Sequence, residues 1–258
     1  MVFIMKIGAQ LYTVRNYTKT LDDFSETLKK IADIGYSTVQ VSGTCEYSAQ
    51  WLKDELKKSG LSCVLTHIKP QKLLEETKTV AEEHKIFGCK YVGIGAMPGV
   101  FKDGMTAYLN FIKDFMPVSK YLSDEGLYFM YHNHNAEFAK SDNGEIILKR
   151  LAEDFPAKML GFTLDTYWVQ AGGGDAAWWI KNLNGRVPCV HLKDMAFKDG
   201  SIRMAPVGEG NMNFDSIINA CEDAGTEYVL VEQDDCYVED PFECLKKSYD
   251  YLCAMGLS

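Results

Sequence analysis

The sequence predicts an α/β fold, a closed (β/α)8 barrel of eight parallel strands, for three reasons. A short apolar run, a polar loop and an amphipathic segment follow one another eight times. Alternating strands and helices favour parallel pairing through right-handed crossovers, and 258 residues is the usual size of such a barrel. No Gly-x-Gly-x-x-Gly turn follows the first strand, which disfavours a doubly wound open sheet. We therefore predict one domain over residues 1–258.

The first four units lie in residues 7–124. Thr20 is a suitable N-cap for the first helix, and Gly35 is a suitable residue to end it. Glycines at 60 and 88 end the next two helices in the same way. We predict strands over residues 7–11, 38–41, 61–67 and 90–94, and helices over about 20–34, 49–59, 70–87 and 105–124.

The second four units repeat this order. Gly225 ends one predicted helix, and Pro241 is well placed as the first residue of the last helix, where a missing N–H costs nothing. We predict strands over residues 127–131, 159–164, 187–192 and 228–231, and helices over about 144–155, 176–183, 213–224 and 241–255.

Composition excludes several classes of protein. A net charge of −9 disfavours a nucleic-acid surface, which needs a basic patch. No apolar run approaches the length of a membrane span, and residues 1–6 are too short for a signal peptide. The eight cysteines include no Cys-x-x-Cys pair, so we expect reduced, buried thiols in a cytoplasmic protein. A homo-oligomer is compatible with the sequence.

Function in a (β/α)8 barrel sits at the carboxyl ends of the strands, because the βα loops build that mouth. Polar and titratable side chains accumulate at these ends in this chain. In strand order they are Gln10 and Tyr12; Gln40; His67; His132, His134 and Glu137; Asp165 and Trp168; His191, Lys193 and Asp194; and Glu232, Gln233 and Asp234.

The sharpest set is Asp165, His191 and Glu232, which follow three successive strands. Carboxylates and an imidazole suit a divalent cation that accepts mixed oxygen and nitrogen ligands. Manganese is the first choice, with magnesium, cobalt or zinc as alternatives. A further ligand should come from the fifth strand, and the absence of cysteine from the set disfavours a structural zinc site.

Other side chains at the mouth are candidates for substrate contacts. Tyr12 and Trp168 could stack on a sugar ring, as could Trp178 or Trp179, although we favour a core position for at least one of that pair. Lys193 and Asp194 could bind substrate or cap a loop. His84, in a helix among charged residues, is expected to be solvated surface. The substrate-binding candidates are Gln10, Tyr12, Gln40, His67, Trp168 and Lys193.

Four motifs resemble the xylose-isomerase-like TIM-barrel superfamily, and more closely its sugar phosphate isomerase/epimerase and inosose-dehydratase branch. The resemblance extends over essentially the whole chain. The motifs are Val-His-Leu-Lys-Asp at 190–194, Leu-Asp-Thr-Tyr-Trp at 164–168, Tyr-His-Asn-His at 131–134 and Val-Glu-Gln-Asp at 231–234.

The resemblance implies a divalent metal held by Glu, Asp, His and Glu from the fifth to eighth strands. Asp165, His191 and Glu232 match the last three positions, but the fifth strand ends in His132 where a Glu is typical. We therefore expect Glu137 to turn back as the fourth ligand.

Such a site suits proton abstraction next to a sugar carbonyl through an enediolate, with Glu232, His132 or His134 as base. We therefore expect a metal-dependent sugar isomerase or epimerase.

Three alternatives stand beside this expectation. The same site could expel a β-oxygen, as a keto-inositol dehydratase or keto-glycoside lyase would. The barrel could also bind sugar without turnover. An endonuclease-IV-like nuclease is disfavoured by the acidic net charge. No cluster of Arg and Lys marks a phosphate pocket, so we expect an unphosphorylated sugar or cyclitol as the small-molecule substrate.

Overall fold

Eight parallel strands close into a barrel in the computed structural model, which describes residues 5–258. The expectation that residues 1–6 are not a signal peptide falls partly outside this range, because residues 1–4 are not described. Barrel order is β1, β2, β3, β4, β5, β6, β7, β10 and back to β1. Their bounds are β1 (Lys6–Gln10), β2 (Thr38–Val41), β3 (Ser62–His67), β4 (Tyr91–Ile94), β5 (Tyr128–His132), β6 (Leu160–Asp165), β7 (Cys189–Leu192) and β10 (Tyr228–Val231). The predicted (β/α)8 fold is confirmed.

Helices surround the barrel, and all but the short helix after β6, Thr166–Ala171, lie where helices were predicted. Thr20 caps the first helix, because its hydroxyl oxygen accepts the N–H of Asp23 at 3.1 Å. The helices are α1 (Leu21–Ile34), α2 (Ala49–Ser59), α3 (Pro70–Glu75), α4 (Thr77–Phe87), α5 (Val100–Asp124), α6 (Ile147–Asp154), α7 (Thr166–Ala171), α8 (Ala176–Asn182), α9 (Phe214–Asp223) and α10 (Pro241–Ala254). Short 3₁₀ turns cover Leu11–Tyr17 and Ala136–Phe138.

Two predicted helices differ from the structure. The helix expected over residues 70–87 is two helices, because Glu76 leaves the helical region with φ −124° and ψ 30°. The apolar period continues across that break, and neither Gly nor Pro marks it. The helix expected from Met105 begins five residues earlier, at Val100, and is interrupted at Gly104, whose φ of 48° is open to glycine at little cost.

An antiparallel hairpin after β7 was not predicted. It consists of β8 (Asp194–Lys198) and β9 (Ser201–Ala205). Asp199 and Gly200 join the strands with φ of 53° and 77°, the backbone of a type I′ turn. The Asp-Gly pair was therefore the sequence signal for this hairpin.

Strand alternation decides which side chains enter the barrel. On β5, Tyr128 and Met130 belong to a small cluster with Leu65, Cys189 and Leu230, which come from other barrel strands. Their neighbours on β5, Phe129 and Tyr131, pack in the larger core with the helices. His132 shares the inward parity of Met130, so it points into the mouth.

His84 corrects a sequence-based expectation, because it is buried rather than solvated. On α4, its Nδ1 donates to the carbonyl oxygen of Val80 at 2.6 Å, and its Nε2 lies 2.7 Å from the hydroxyl of Thr66 on β3. The charged residues beside it in sequence occupy other faces of the helix. Burial lowers the pKa of His84 to about 4.

The cysteines and the helices agree with two predictions made from composition, free thiols and no membrane span. All eight cysteines are free, and five of them are buried. Within the part of the chain that the structure describes, no helix is both long and apolar enough to cross a bilayer.

The buried His84 should make the protein acid-sensitive. Its pKa is about 4 when folded, against about 6.5 in an unfolded chain, so the unfolded state binds the proton first as pH falls. The stability contributed by neutral His84 is therefore complete above pH 6.5 and is lost as pH falls towards 4, a loss of about 3 kcal/mol. Urea unfolding at several pH values gives the free energy of unfolding of wild type and of His84→Leu. Plotted against pH, this free energy should fall more steeply for wild type as the pH is lowered. Parallel pH profiles for the two proteins would contradict this assignment.

Candidate metal centre and active site

Four titratable side chains converge inside the mouth of the barrel. His132, Asp165, His191 and Glu232 come from or directly follow β5, β6, β7 and β10, and all four are buried. One ligand atom from each lies within 4.8 Å of the others. Parallel pairing brings these residues together. Asp165 pairs with His191, and His191 also pairs with Leu230, which lies two residues before Glu232. Equal parity then turns the four side chains inward.

Both imidazoles are anchored on the side that faces away from the carboxylates. His132 Nδ1 lies 2.9 Å from the carbonyl oxygen of Gly95, which can only accept, so this nitrogen carries the proton. His191 Nε2 donates to Gln40 Oε1 at 2.6 Å. The opposite nitrogens, His132 Nε2 and His191 Nδ1, are left to face Asp165 and Glu232.

The distances between these atoms call for a positive charge. His132 Nε2 is 3.3 Å from Asp165 Oδ2, and His191 Nδ1 is 2.9 Å from Glu232 Oε2. A neutral imidazole nitrogen and a carboxylate oxygen both present lone pairs, so a proton or a cation must lie between them. Imidazoles held by an outer hydrogen bond, with the free nitrogen beside carboxylates, are typical of metal ligands. The donor set of two nitrogens and two oxygens therefore fits a divalent transition metal.

Hydrogen bonds hold the two carboxylates as firmly as the imidazoles. Asp165 Oδ1 accepts the N–H of Trp168 and so caps α7, which leaves Oδ2 for the cluster. The backbone N–H of Asp165 donates to Asn133 Oδ1 at 2.9 Å. Gln10 Nε2 donates to Glu232 Oε1 at 3.1 Å, which leaves Oε2 for the cluster.

The structure places Glu137, the expected fourth ligand, outside the four-residue cluster. Glu137 is fully buried, but its Oε1 accepts the hydroxyl of Tyr131 at 2.6 Å and its Oε2 accepts the backbone N–H of His134 at 2.9 Å. Both oxygens are therefore committed to the turn after β5. His132 joins the cluster from the fifth strand instead, because it is the last inward-facing residue of that strand.

The ammonium of Lys193 lies within the cluster. Its Nζ is 3.0 Å from Asp165 Oδ2, 3.0 Å from Glu232 Oε2 and 3.1 Å from Asp234 Oδ2. Burial alone would lower the pKa of Lys193, but the three carboxylates raise it above its ordinary value. The charge of Lys193 in turn overcomes burial and holds the pKa of Asp165 and of Glu232 well below the ordinary range.

A cavity of about 330 Å³ opens above the cluster. Gln10, Tyr12, His67, His132, His134, Trp168, Lys193 and Glu232, all predicted from sequence, line it together with Arg15, Ser42, Phe101 and Asp234. His67 Nε2, His134 Nδ1 and Trp168 Nε1 are buried and have no hydrogen-bond partner among residues 5–258. Such atoms can bind the hydroxyl groups of a ligand without losing an internal bond.

Some predicted residues have other places. Gln40 is fully buried behind His191 and does not line the cavity. Asp194 organises the loop after the hairpin, since its carboxylate accepts the backbone N–H groups of Met195, Gly208, Gly210 and Met212. Trp179 is buried against Phe138, and Trp178 is exposed on α8.

Gly95, Asn133 and Asp234 were not assigned roles from sequence. Gly95 acts through its backbone carbonyl, so its side chain carries no signal, whereas Asn133 acts through its side-chain Oδ1, which accepts the backbone N–H of Asp165. Asp234, two residues after Glu232, follows the same inward parity, and that was its available signal.

Comparison with known proteins agrees with this barrel. The family model for the xylose isomerase-like TIM barrel matches residues 28–253. The chain belongs to this family. Among curated proteins, none matches the chain.

Solved structures of the family share its fold. A sugar phosphate isomerase/epimerase from Parabacteroides distasonis superposes with a TM-score of 0.81 at 22% identity over 97% of this chain and 94% of that one. An L-ribulose 3-epimerase gives 0.75 at 14% over 98% and 95%. The probable 3-DHS dehydratase AsbF from Bacillus anthracis gives 0.73 at 17% over 96% and 99%. Proteins with this fold thus include ones named as an isomerase/epimerase, an epimerase and a probable dehydratase.

The hydrogen bond from His191 to Gln40 gives a test of the metal centre. Gln40→Leu removes the acceptor that orients His191, so the Mn²⁺ Kd should rise by about 10- to 100-fold. Isothermal titration with MnCl₂ measures it. Gln50→Leu is the matched control, because Gln50 is exposed and its side chain bonds Asp54 on its own helix. An unchanged Kd in Gln40→Leu would show that this hydrogen bond does not support metal binding.

Proposed function

We propose that this member of the family is a divalent-metal-dependent sugar isomerase or epimerase that abstracts a proton next to a carbonyl. The observation that carries the proposal is the convergence of two anchored imidazoles with Asp165 and Glu232 beneath a cavity. His132, Asp165, His191 and Glu232 would hold the metal, with manganese as first choice. When bound, such a cation supplies Lewis-acid polarisation of the substrate carbonyl and stabilises the charge of an enediolate.

His134 and Glu232 are the proposed proton-transfer residues. His134 lines the cavity, and its Nδ1 is buried with no partner in the described chain. Trp168 and Phe101 flank its ring, at centroid distances of 5.3 Å and 5.2 Å, and its backbone N–H is held by Glu137. Burial lowers the pKa of His134 to about 3, so the ring is neutral at neutral pH. Glu232 borders the same cavity from the opposite part of the barrel.

Tyr12, His67 and Trp168 are the proposed substrate contacts. Tyr12 and Trp168 offer ring faces for the apolar side of a sugar, and His67 and Trp168 offer unpaired nitrogens for hydroxyl groups. Gln10 and Gln40 support the site by holding Glu232 and His191. The cavity volume is at the lower end of the roughly 300–1,000 Å³ typical of small-molecule sites.

The charges around the cavity favour a substrate without phosphate. Arg15 and Lys193 are the cationic side chains that line it, within the described range 5–258. The Lys193 ammonium already faces three carboxylates. Arg15 donates to the carbonyl oxygen of Tyr12 and lies over its ring at 4.3 Å. A phosphate would therefore meet no cluster of free cations, so we propose an unphosphorylated keto sugar or cyclitol.

Elimination is the second candidate, and His132 favours it. An epimerase that works on both faces of a carbon needs two bases, and the usual carboxylate of the fifth strand is replaced here by an imidazole directed at Asp165. Glu232 would then be the one metal-bound carboxylate that also borders the cavity. Loss of a β-oxygen needs a single base for the α-proton, so the same residues would serve a dehydratase or lyase.

Solvent exchange distinguishes these functions. With MnCl₂ in deuterated water, an isomerase or epimerase should incorporate deuterium into one of a panel of unphosphorylated keto sugars and keto-inositols, followed by NMR and mass spectrometry. Exchange with an isomeric product supports the first proposal, and exchange with loss of water or a glycosidic group supports the second. Binding of sugar with no exchange, in protein that holds Mn²⁺, would leave a sugar-binding barrel.

His134→Gln tests the proton-transfer role of this ring. We expect the exchange rate at saturating substrate to fall by about 10²- to 10⁴-fold. The Mn²⁺ Kd should stay unchanged, because His134 lies outside the four-residue cluster. A rate within a factor of three of wild type would exclude His134 as the base, whereas a parallel loss of Mn²⁺ binding would indicate damage to the centre.

A further inference from the structure

The Lys193 ammonium contacts the same carboxylate oxygens that face the imidazoles. Asp165 Oδ2 lies 3.0 Å from Nζ and 3.3 Å from His132 Nε2, and Glu232 Oε2 lies 3.0 Å from Nζ and 2.9 Å from His191 Nδ1. A divalent cation bound by these residues would use the same two oxygens. The ammonium and the metal would then repel each other at close range in a buried site, where screening is weak.

Asp234 differs from the other two carboxylates of Lys193. Both of its oxygens lie 3.1 Å from Nζ, and it contacts neither His132 nor His191 within 4.0 Å among the described residues. Its side chain is 25% exposed, whereas Asp165 and Glu232 are 0% and 5% exposed. Asp234 therefore stands at the edge of the cluster, beside Lys193 and away from the imidazole nitrogens.

The summed charge of the three carboxylates and the ammonium balances a divalent cation, and this balance requires Asp234. With neutral imidazoles, three carboxylates and one ammonium leave two negative charges. If Lys193 pairs with Asp234 alone, Asp165 and Glu232 present those two charges to the metal. Without Asp234, a bound divalent ion would leave the ammonium with no partner of its own in a buried site, which is strongly unfavourable.

We infer that Lys193 and Asp234 form an exchange pair: the ammonium competes with the divalent cation for Asp165 and Glu232, and Asp234 holds it when the cation binds. This inference rests on the metal site of the proposed function. Lys193 lowers the affinity for metal, and Asp234 restores it by accepting the displaced charge. Asp234 is thus a positioning residue that acts through Lys193 and makes a buried lysine compatible with a metal centre.

The lysine is held so that such a movement needs little change in the backbone. The N–H of Lys193 donates to the Thr166 hydroxyl at 3.0 Å, which fixes the start of the side chain. Its ammonium lies 5.5 Å from the centre of the Trp168 ring at the cavity wall. Because Nζ already touches Asp234, displacement from Asp165 and Glu232 keeps one ion pair intact.

A double-mutant cycle tests the pair by titration of the full chain with MnCl₂, after EDTA treatment and at one pH. Lys193→Gln should bind Mn²⁺ about tenfold or more tightly than wild type, because the competing charge is gone. Asp234→Asn should bind about tenfold or more weakly. In the Lys193→Gln background, Asp234→Asn should have an effect of less than about threefold, since the residue has no ammonium to hold.

Each other outcome has a distinct meaning. If Asp234→Asn weakens binding equally in both backgrounds, Asp234 is a metal ligand and the exchange pair is wrong. Equal Kd values in all four proteins would also overturn it while leaving the metal site intact. Binding of Mn²⁺ by Lys193→Gln but not by wild type would support competition and remove metal dependence from the proposed function. Failure of all four proteins to bind Mn²⁺, Mg²⁺, Co²⁺ or Zn²⁺ would overturn both proposals.

Folding and general charge effects are controlled separately. Lys193→Met is a second variant that removes the ammonium but keeps the apolar stem, and it should tighten Mn²⁺ binding as Lys193→Gln does. Lys246→Met and Asp250→Asn break an exposed pair far from the mouth and should leave Kd unchanged. Circular dichroism reports folding, and a variant that folds only when Mn²⁺ is added would support the lysine as the cation that stabilises the metal-free protein.

Discussion

The mouth of this barrel depends on one constraint: two buried carboxylates must face a positive charge. Asp165 and Glu232 lie where water is excluded, and an unpaired charge there would cost several kcal/mol. Lys193 meets that need within the protein itself, and both imidazoles turn a nitrogen towards the same oxygens. The surrounding hydrogen bonds hold these carboxylates and imidazoles in orientations that point to one common centre.

The barrel architecture supplies the precision that such a centre needs. Each of the four clustered side chains stands at the carboxyl end of a strand, so its position is set by pairing to neighbours rather than by a loop. A layer below, small residues make room, as Gly161 does, where a Cβ would lie 2.5 Å from the ring of Tyr128. Hydrogen bonds to Gln40 and to the carbonyl of Gly95 then fix the orientation of the two imidazoles. Rigid strands and this outer layer together favour a preorganised site.

The fifth strand ends in an imidazole, His132, where the resemblance implied a carboxylate, and this difference has a chemical consequence. A centre with two carboxylates and two imidazoles has less negative charge than one with three carboxylates, and Lys193 reduces it further unless Asp234 takes the ammonium. In the proposed centre, the charge available to a metal would therefore be set by Asp234, a residue outside the four-residue cluster. It also leaves fewer carboxylates to move protons, which gives neutral His134 a larger part in the proposed chemistry.

The amino-acid sequence by itself determined the order of strands and helices, and with it the barrel. Apolar periodicity is local, so it identifies the strand ends at Asp165, His191 and Glu232 without knowledge of the fold. It could not show the break at Glu76, where no Gly or Pro interrupts the period, nor the burial of His84, which depends on how α4 packs against Thr66 of β3.

Only the tertiary structure decided how the end of β5 is used. Glu137 and His132 are both near that end in sequence, and either could ligate a metal. The chain turns after His132, so Glu137 bonds Tyr131 and the backbone of that turn, while the parity of the strand sends His132 into the mouth. The partner of Lys193 was equally open, because the three carboxylates around it come from positions 165, 232 and 234 and meet only when the barrel closes. Contacts between residues far apart in sequence are settled by packing, which local patterns do not contain.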